Sequence, residues 1–348
     1  MPGKFHAFMG FLLAPVCGMM LAFHQGNPFV ADYDRAEIAT AKAQEDMIGL
    51  QETAKDTSAI LKDMQTALAK EKKADEAQKN QLDQLLAKSQ SSQQVSTELL
   101  DNLLQTLLGK PIDQHFGTNS RIKVYSLQEA GYSGYMAKVR VYNPNALKMV
   151  MANDTVYSRG ETTSHATKRK GAILGINAGG FDKRKGGTLA PLGMTVVDGQ
   201  IKTYSTNPNL RFVGFNNSGR LVGGKIPTQA EVKQMGVLQG ASFLPALLED
   251  GVAKPIPSAW ANRREPRTLI GNFENGDLLI IVIDGRNKGG SKGVTLEEAQ
   301  RKLKEFKVRD AFNLDGGSSS VFYYNGKVLN HPSNGRELPL TTHLVVMP

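Results

Sequence analysis

The segment LLIIVIDGRNKGGSKGVTLEEAQRKLKEFKVRDAFNLDGGSSS, residues 278–320, carries the strongest fold signal in the chain. It opens with six aliphatic residues, a pattern typical of a buried strand. An amphipathic helix follows, with Thr295 as the predicted N-cap and Glu298 completing a capping box. A second apolar run over residues 308–314 ends in Asp-Gly-Gly. This order of strand, loop, helix and strand predicts a βαβ unit, and such units place functional sites at the carboxyl ends of their strands.

Further apolar runs predict strands on both sides of this unit. They lie at residues 136–142, 147–152, 172–176, 194–197, 210–215, 268–271, 321–324 and 343–347. Asn325-Gly326 predicts a type I′ turn that joins the strand at 321–324 to Lys327-Val328-Leu329. We therefore expect an α/β domain over residues 113–348, built on a mixed sheet with helices. An α+β arrangement is the alternative.

Residues 31–112 differ sharply in composition from that domain. They are rich in Ala, Gln, Lys, Glu, Asp and Leu, and residues 32–108 contain no proline and a single glycine, Gly49. Apolar residues repeat at spacings of three and four, the a/d pattern of a coiled coil: Met47, Leu50, Ala54, Thr57, Leu61, Met64, Leu68 and, later, Leu82, Leu86, Leu100, Leu103 and Leu107. So narrow an apolar stripe cannot bury itself alone. It predicts a helical stalk that forms a homo-oligomer or pairs with a partner.

Residues 1–30 contain an apolar span, Ala7–Phe23, of seventeen residues without a charge. Such a span is at the short end of what crosses a bilayer. No A-x-A cleavage site precedes His24, so an uncleaved signal anchor is favoured over a cleaved signal peptide. We expect a membrane-anchored protein with an extracytoplasmic C-terminal domain. A helix buried in an oligomer or in a phage particle is the alternative.

Charge and cysteine content exclude several function classes. The net charge is +9, which favours an anionic surface or substrate. The basic residues are scattered and lack the interleaved aromatic residues that grip single strands, so we expect no nucleic-acid partner. A single cysteine, Cys17, excludes an intrachain disulfide and a cysteine metal cluster.

Polar and glycine residues gather where the predicted strands end. Asp284-Gly285-Arg286 ends one strand, and Asp315-Gly316-Gly317-Ser318 ends the next. Between them lies a loop of glycines and lysines that leads into a helix N-terminus, which suits a phosphate group, although the spacing of a Walker loop is absent. The substrate-binding candidates are Asn177, Gly179, Gly180, Thr268, Arg286, Lys292, Gly316, Gly317, Ser318, Asn330 and Arg336, and the catalytic candidates are Asp315, Asp284 and Arg267.

Each element also has a plain structural interpretation. Asp-Gly-Gly is an ordinary tight turn, and Asn177 suits a turn as well. Arg267 fits a surface ion pair, while Lys288 and Lys292 fit solvated side chains. The grouping of four such elements at strand ends favours a site over this interpretation.

These motifs resemble the phosphodiester glycosidase family. INAGGF, PRTLIG, VIDGRNKGGSKGVTLEEAQRKL and AFNLDGGSSSVFYYNGKVLNHPS occur in this order and are followed by a last apolar strand at residues 343–347. The resemblance covers the C-terminal half, and it is to a domain of the N-acetylglucosamine-1-phosphodiester α-N-acetylglucosaminidase type. It implies a mixed α/β fold and a hydrolase that cleaves a sugar C1–O–phosphate bond.

The candidate residues suit this chemistry. A phosphate leaving group departs without a strong general acid, so catalysis chiefly requires cations and N–H groups that stabilise its negative charge. The candidates for this role are Arg267, Arg286, Gly316, Gly317, Lys292 and Arg336. An oxocarbenium-like sugar needs a carboxylate, for which Asp315 ranks ahead of Asp284. Asn177 and Ser318 would orient sugar hydroxyls or the phosphate. Glu161 ranks lower, with a surface role favoured. No cofactor is indicated; calcium would suit the two aspartates, but no spacing signature calls for it.

We therefore expect a glycosidase acting on glycosyl phosphodiesters of a cell-envelope or surface polysaccharide. The alternative is a phage tail, virion or envelope assembly protein, whose coiled coil forms the oligomer and whose C-terminal domain binds or degrades surface glycans.

Overall fold

A computed structural model describes residues 92–286 and 290–348. Within them lie four α-helices and twenty strands. The helices are α1 (Ser92–Leu108), α2 (Thr163–Arg169), α3 (Gln229–Gln234) and α4 (Leu296–Glu305). The strands are β1 (Asp113–Phe116), β2 (Ser120–Glu129), β3 (Tyr132–Val141), β4 (Leu147–Met151), β5 (Leu174–Asn177), β6 (Phe181–Lys183), β7 (Leu189–Pro191), β8 (Thr195–Val197), β9 (Gln200–Thr203), β10 (Arg211–Asn216), β11 (Leu221–Lys225), β12 (Val237–Phe243), β13 (Ala246–Glu249), β14 (Val252–Ala253), β15 (Arg267–Asn272), β16 (Leu278–Ile283), β17 (Asp310–Asn313), β18 (Phe322–Tyr324), β19 (Lys327–Val328) and β20 (Thr342–Val346).

The described strands form four sheets. The largest has the order β1-β2-β3-β16-β15-β17-β13-β14, and two five-stranded sheets have the orders β11-β10-β12-β8-β9 and β19-β18-β5-β20-β4. Strands β6 and β7 form a hairpin. All pairings between these strands are antiparallel. The predicted fold class is therefore confirmed only in part: the domain is mostly antiparallel sheet with few helices, close to the α+β alternative and unlike a mixed sheet.

The βαβ unit predicted over residues 278–314 is present in a split form. Strands β16 and β17 both pair antiparallel with β15, so they run in the same direction with β15 between them. Arg267, the first residue of β15, lies opposite Ile283 at the end of β16. The start of β15 therefore meets the ends of β16 and β17 at one edge of the sheet. An apolar run indicates a strand but not its neighbours, so the strand at residues 268–271 was predicted but its position between β16 and β17 was not.

The centre of the large sheet is buried on both faces, as strand β16 shows. Leu278, Ile280 and Val282 point into a core shared with the five-stranded sheets. Leu279 and Ile281 point into a second core, formed with α1 and α4. Side chains alternate between the two faces of a strand, so a strand covered on both sides is apolar throughout. This explains the unbroken aliphatic run of its sequence.

Two local predictions are confirmed in detail. Helix α4 follows Thr295, whose hydroxyl accepts from the Glu298 N–H at 3.2 Å while the Glu298 carboxylate accepts from the Thr295 N–H at 2.9 Å. Asn325 and Gly326 both have positive φ, at 45° and 87°, and join β18 to β19. A type I′ turn requires that conformation at both positions.

Helix α1, at the end of the predicted stalk, packs on the large sheet. Leu104 is fully buried, and Leu100 packs against the same core. The Asp101 carboxylate pairs with Lys123 at 2.7 Å and with the buried Lys138. Burial would raise the pKa of Asp101, but these two ammonium groups outweigh it and lower the pKa. Ion pairs as well as apolar contacts therefore hold this helix on the sheet.

The predicted membrane anchor over residues 1–30 lies outside the described residues, as do Lys288 and the predicted coiled coil as far as residue 91. Across residues 92–286 and 290–348, the helices are too short or too polar to span a bilayer. The stalk and the domain limits stay predictions.

Candidate active site

A cavity of about 340 Å³ opens at the sheet edge where β15 begins and β17 ends. The segment that leads into β15 supplies much of its wall. Its lining consists of Phe243, Ala259, Trp260, Arg263, Glu265, Arg267, Arg286, Asp315, Gly316 and Gly317. Three guanidinium groups, two carboxylates and two aromatic rings thus face one space.

Asp315 is held in this cavity by its backbone. Its N–H donates to the Ala178 carbonyl at 3.0 Å, and the amide of Asn177 donates to its carbonyl. One carboxylate oxygen accepts from the Gly316 N–H at 3.0 Å. Burial raises the pKa of Asp315 to about 6, although hydrogen bonds from Ser319 and Gly316 act in the opposite direction. The carboxyl group therefore changes charge near neutral pH, as acid–base and nucleophilic residues often do.

Asn177 and Thr268 lie beneath the cavity and are both fully buried. The Asn177 side-chain oxygen accepts from the Thr268 hydroxyl at 2.7 Å and from the Val321 N–H at 3.1 Å. With its bond to Asp315, this amide joins three chain segments. The structure therefore places Asn177 as a support for Asp315, whereas the sequence indicated a contact with substrate.

Arg267 is the most buried cation on the cavity, with only 2% of its surface exposed. Its guanidinium donates to the carbonyls of Val294 at 3.3 Å and Arg263 at 2.7 Å. Burial lowers its pKa to about 10, so it still carries its charge at neutral pH. No partner for its third nitrogen, Nη1, occurs among residues 92–286 and 290–348. Arg267 is thus a fixed cation within the site and not the surface ion pair of the plain interpretation.

Arg286 lies across the cavity and pairs with a second carboxylate. Its Nε donates to Glu265 Oε2 at 2.6 Å, and its Nη1 donates to the Ser318 hydroxyl at 3.3 Å. Its φ is +61°, which turns the chain directly after Gly285. Ser318 also donates to Asn334 at 3.2 Å. Ser318 therefore lies at the rim, next to the cavity-lining Gly317.

Asp284 lies at the same sheet edge but does not line the cavity. Only 2% of its surface is exposed. Its carboxylate accepts from the Asn330 amide at 3.1 Å and the His331 N–H at 2.8 Å, and lies 3.2 Å from His331 Nδ1. The Ser291 hydroxyl donates to its carbonyl. Asp284 and Asn330 thus fix the loops beside Arg286.

The predicted glycines serve close packing. A Cβ on Gly180 would lie 2.6 Å from the Phe243 ring, and one on Gly179 would lie 3.0 Å from the Ala241 methyl group. A Cβ on Gly316 would lie 3.0 Å from the Pro266 carbonyl, and the φ of Gly317 is +61°. Gly316 and Gly317 form part of the lining, whereas Gly179 and Gly180 support the Phe243 side.

Three other candidates lie away from the cavity. Lys292 and Arg336 are exposed and do not line it. Glu161 is buried and pairs with Arg169 at 2.8 Å. Burial would raise its pKa, but hydrogen bonds from Arg169, Asn153 and His165 lower it to about 2. It belongs to a buried ion-pair network, which corrects the surface role favoured from the sequence.

Five cavity residues were missed in the sequence: Phe243, Ala259, Trp260, Arg263 and Glu265. The Trp260 and Phe243 rings pack edge to face, with centroids 5.7 Å apart. Trp260 is the single tryptophan of the chain and lies in the polar segment SAWANRREP, residues 258–266. This tryptophan could have served as a signal, because Trp is enriched where one side of the ring is apolar and the other is accessible to water.

The site can hold an anion beside an apolar ring face. Fixed guanidinium groups bind phosphate oxygens in a bidentate manner, and an aromatic wall suits the apolar face of a sugar ring. Among residues 92–286 and 290–348, no group of three or more His, Cys, Asp or Glu side chains is placed to hold a metal ion.

Comparison with known proteins assigns the family. Residues 170–347, slightly more than half of the chain, match the family model NAGPA, phosphodiester glycosidase. The chain belongs to the phosphodiester glycosidase family. The matched range contains the motifs around Asn177, Arg267, Asp284 and Asp315, so the family resemblance of the sequence is confirmed.

Two kinds of curated relative are similar to this phosphodiester glycosidase family member. The SPbeta prophage-derived uncharacterized protein YomE of Bacillus subtilis (strain 168) is 26% identical over 72% of this chain and 40% of that protein. The N-acetylglucosamine-1-phosphodiester alpha-N-acetylglucosaminidases of Mus musculus and Homo sapiens are 34% and 35% identical over 22% of this chain, and over 14% and 15% of those proteins. The chain thus spans less than half the length of these relatives.

A solved structure shares the fold. The catalytic domain of zebrafish N-acetylglucosamine-1-phosphodiester alpha-N-acetylglucosaminidase, auto-inhibited by its pro-peptide, superposes with a TM-score of 0.55 at 19% identity. The superposition covers 69% of this chain and 87% of that chain. The antiparallel sheets described above are therefore a known architecture of the family.

Proposed function

We propose that this protein is a hydrolase that cleaves the sugar C1–O–phosphate bond of glycosyl phosphodiesters, within a cell-envelope or surface polysaccharide. One observation carries the proposal. A carboxyl group with a raised pKa, Asp315, shares a cavity with three guanidinium groups and two aromatic rings. Family membership and the activity printed for the mammalian relatives support the same reaction.

The arginines would hold the phosphodiester and stabilise the leaving phosphate. Arg267 presents a cation whose position is fixed by two carbonyls, while Arg263 is exposed at the cavity wall. Arg286 is kept in place by Glu265 and Ser318. Charge that develops on the leaving oxygen is then met by groups already oriented, which is the largest contribution in many enzymes.

Asp315 would act on the sugar carbon in its ionised form. The leaving phosphate is a weak base, so the reaction needs little general acid. It needs a carboxylate that stabilises the oxocarbenium-like sugar and attacks it or activates water. With a pKa of about 6, Asp315 is ionised at neutral pH. Asp284 is proposed as a positioning residue, because its oxygens are already occupied by Asn330 and His331.

A direct test uses the full chain and an α-N-acetylglucosamine 1-(methyl phosphate) diester. The expected products are free sugar and methyl phosphate, and Asp315→Asn should lower kcat by a factor on the order of a thousand. Asp113→Asn is the matched control, because this aspartate is exposed on the edge strand β1. Equal rates for the Asp315→Asn protein and the control would refute the role of Asp315.

The alternative function also has support. The relative that covers most of this chain derives from a prophage. This favours a phage-particle location, in which the same domain degrades the surface polymer of a host. Coding sequences for tail or baseplate proteins beside this one would support that version, and envelope-biosynthesis neighbours would contradict it.

The membrane anchor and the homo-oligomer are proposals of the same kind. Leu99, Leu103 and Leu107 form an exposed stripe on α1, at 63%, 37% and 38% exposure, and Leu103 and Leu107 belong to the predicted a/d repeat. Light scattering on the full chain tests the homo-oligomer, and a monomeric mass would contradict it.

A further inference from the structure

A second cavity, of about 460 Å³, lies on the same domain and has no role in the function proposed above. It is formed by the β6–β7 hairpin, the end of β9 and the segment at residues 156–157. Its lining includes Tyr157, Asp182, Arg184, Leu192, Lys202 and Tyr204.

The walls of this second cavity are held by backbone hydrogen bonds. Ser158 and Leu189 exchange two of them, at 2.7 and 3.5 Å, so the segment carrying Tyr157 is tied to the hairpin. The Ser205 N–H donates to the Gly193 carbonyl at 3.1 Å, which ties the end of β9 to the other wall. The cavity therefore has a fixed frame on three sides.

Its chemistry resembles that of the first cavity. The Arg184 guanidinium lies 4.8 Å from the centroid of the Tyr157 ring, and Tyr157 and Tyr204 are 55% and 40% exposed. Within the described part of the chain, no carboxylate lies at ion-pair distance from Arg184, and the Lys202 ammonium donates only to Gln200, at 2.6 Å. The carboxylate of Asp182 also lines the cavity, so the two cations exceed the single anion by one charge. Accessible cations in excess beside exposed rings suit a ligand that is both anionic and sugar-like.

The two cavities share a wall at Gly180. A Cβ there would lie 2.6 Å from the ring of Phe243, which lines the first cavity, and 2.9 Å from the side chain of Leu192, which lines the second. The Leu192 N–H also donates to the Gly180 carbonyl at 2.9 Å. Side chains that line the two cavities therefore approach each other closely at Gly180, so the cavities are neighbours and successive units of one chain-like ligand could occupy both.

We propose that the second cavity binds the next sugar-phosphate units of a polymeric substrate, so that the preferred substrate is an anionic oligomer longer than one phosphodiester. This rests on the proposed function for the meaning of the first cavity. Arg184 and Lys202 attract a phosphate of the polymer, and Tyr157 and Tyr204 contact the adjoining sugar rings. The second cavity then determines substrate specificity, while the sugar C1–O–phosphate bond is cleaved in the first cavity, next to Asp315.

The test compares two probes, the α-N-acetylglucosamine 1-(methyl phosphate) diester and a tetramer of the same units joined by phosphodiesters. Binding is measured by titration calorimetry on the full chain carrying Asp315→Asn, which prevents turnover. We expect the tetramer to bind at least tenfold more tightly than the single unit. Adding Tyr157→Ala and Arg184→Gln should reduce this ratio to about one. Tyr142→Ala with Arg220→Gln is the matched control, because both residues are exposed and neither lines the second cavity.

Two results would overturn the inference. One is equal affinity of the Asp315→Asn chain for the two probes. The other is a ratio of tetramer affinity to single-unit affinity that is the same in the Tyr157/Arg184 variant and in the Tyr142/Arg220 control. Failure of the proposed function would look different. The wild-type chain would then release no sugar from either probe, whereas the loss of tetramer affinity in the variant would still establish the second cavity as a glycan-phosphate site. Thermal unfolding of each variant shows that the comparison is made between folded proteins.

Discussion

Replacing Asp315 with asparagine should make the folded protein more stable at neutral pH while removing its activity. Burial raises the pKa of this carboxyl group from its ordinary 3.8 to about 6. The unfolded chain releases the proton more readily than the folded chain, so stability falls as pH rises from about 4 to about 6. Above pH 6 the folded protein carries the full cost of the buried charge, which asparagine does not have.

The expected gain in the free energy of unfolding follows from the difference in the pKa of Asp315 between the folded and unfolded chain. A difference of about two pKa units corresponds to about 3 kcal/mol at most, since each unit is worth about 1.4 kcal/mol. Asp315 lines an open cavity and is partly exposed, so solvent reduces this value. We expect Asp315→Asn to raise the free energy of unfolding by on the order of 1–2 kcal/mol at pH 7.5. Asparagine keeps an oxygen that can accept from the Gly316 N–H, so little is lost in return.

Urea unfolding of the full chain at pH 7.5 and again near pH 4 is the appropriate assay. The stabilisation should shrink towards zero near pH 4, because the wild-type carboxyl group then keeps its proton in the folded state. Asp113→Asn should change stability little at either pH, since that side chain is exposed. An Asp315→Asn protein that is no more stable than wild type at pH 7.5 would refute the reasoning.

Four further results are expected. The kcat/KM of the wild type should rise about tenfold per pH unit up to about pH 6 and then level off, as Asp315 ionises. Trp260→Ala should raise KM by about tenfold in steady-state assays, because the proposed contact of this cavity-lining ring with the sugar is worth about 1–1.5 kcal/mol. Asn177→Ala should lower the free energy of unfolding by about 2–4 kcal/mol in urea titrations, since three buried hydrogen bonds are lost. Asp101→Ala should cost about 1–3 kcal/mol in the same assay, because the buried Lys138 loses one of its two carboxylate partners.

Each of these has an outcome that contradicts it. A pH profile of kcat/KM that is flat between pH 4 and 7 would show that the ionisation of Asp315 does not control the reaction. An unchanged KM for the Trp260→Ala protein would show that this ring does not contribute to sugar binding. Unfolding free energies within about 0.5 kcal/mol of wild type, the usual range for surface substitutions, would show that Asn177 and Asp101 do not support the fold as described.

Local features of the fold could be predicted because they depend on neighbouring residues. The capping box at Thr295, the turn at Asn325-Gly326 and the strand at residues 278–283 each follow from a short stretch of sequence. Strand β2 was missed because Arg121, Lys123 and Ser126 interrupt its apolar residues, which hides it from a search for apolar runs. The antiparallel order was missed because strand direction depends on partners distant in sequence.

The candidate site was predictable only in part. Arg267, Arg286 and Asp315 lie on the cavity because they flank strand ends that meet at one sheet edge. Asn177 and Asp284 occupy similar sequence positions, yet their side chains point into protein, since neighbouring loops fold over them. Residue type and strand end thus predict the neighbourhood of a side chain, whereas the direction in which it points depends on loops that a single sequence does not specify.

The most direct test of the central claim determines which bond is broken. The full chain is incubated with the α-N-acetylglucosamine 1-(methyl phosphate) diester in water enriched in oxygen-18, and any methyl phosphate formed is examined by mass spectrometry. Attack at the sugar carbon, with Asp315 as the carboxylate and the arginines around the phosphate, predicts methyl phosphate without the label. Labelled methyl phosphate would show attack at phosphorus and would contradict the account.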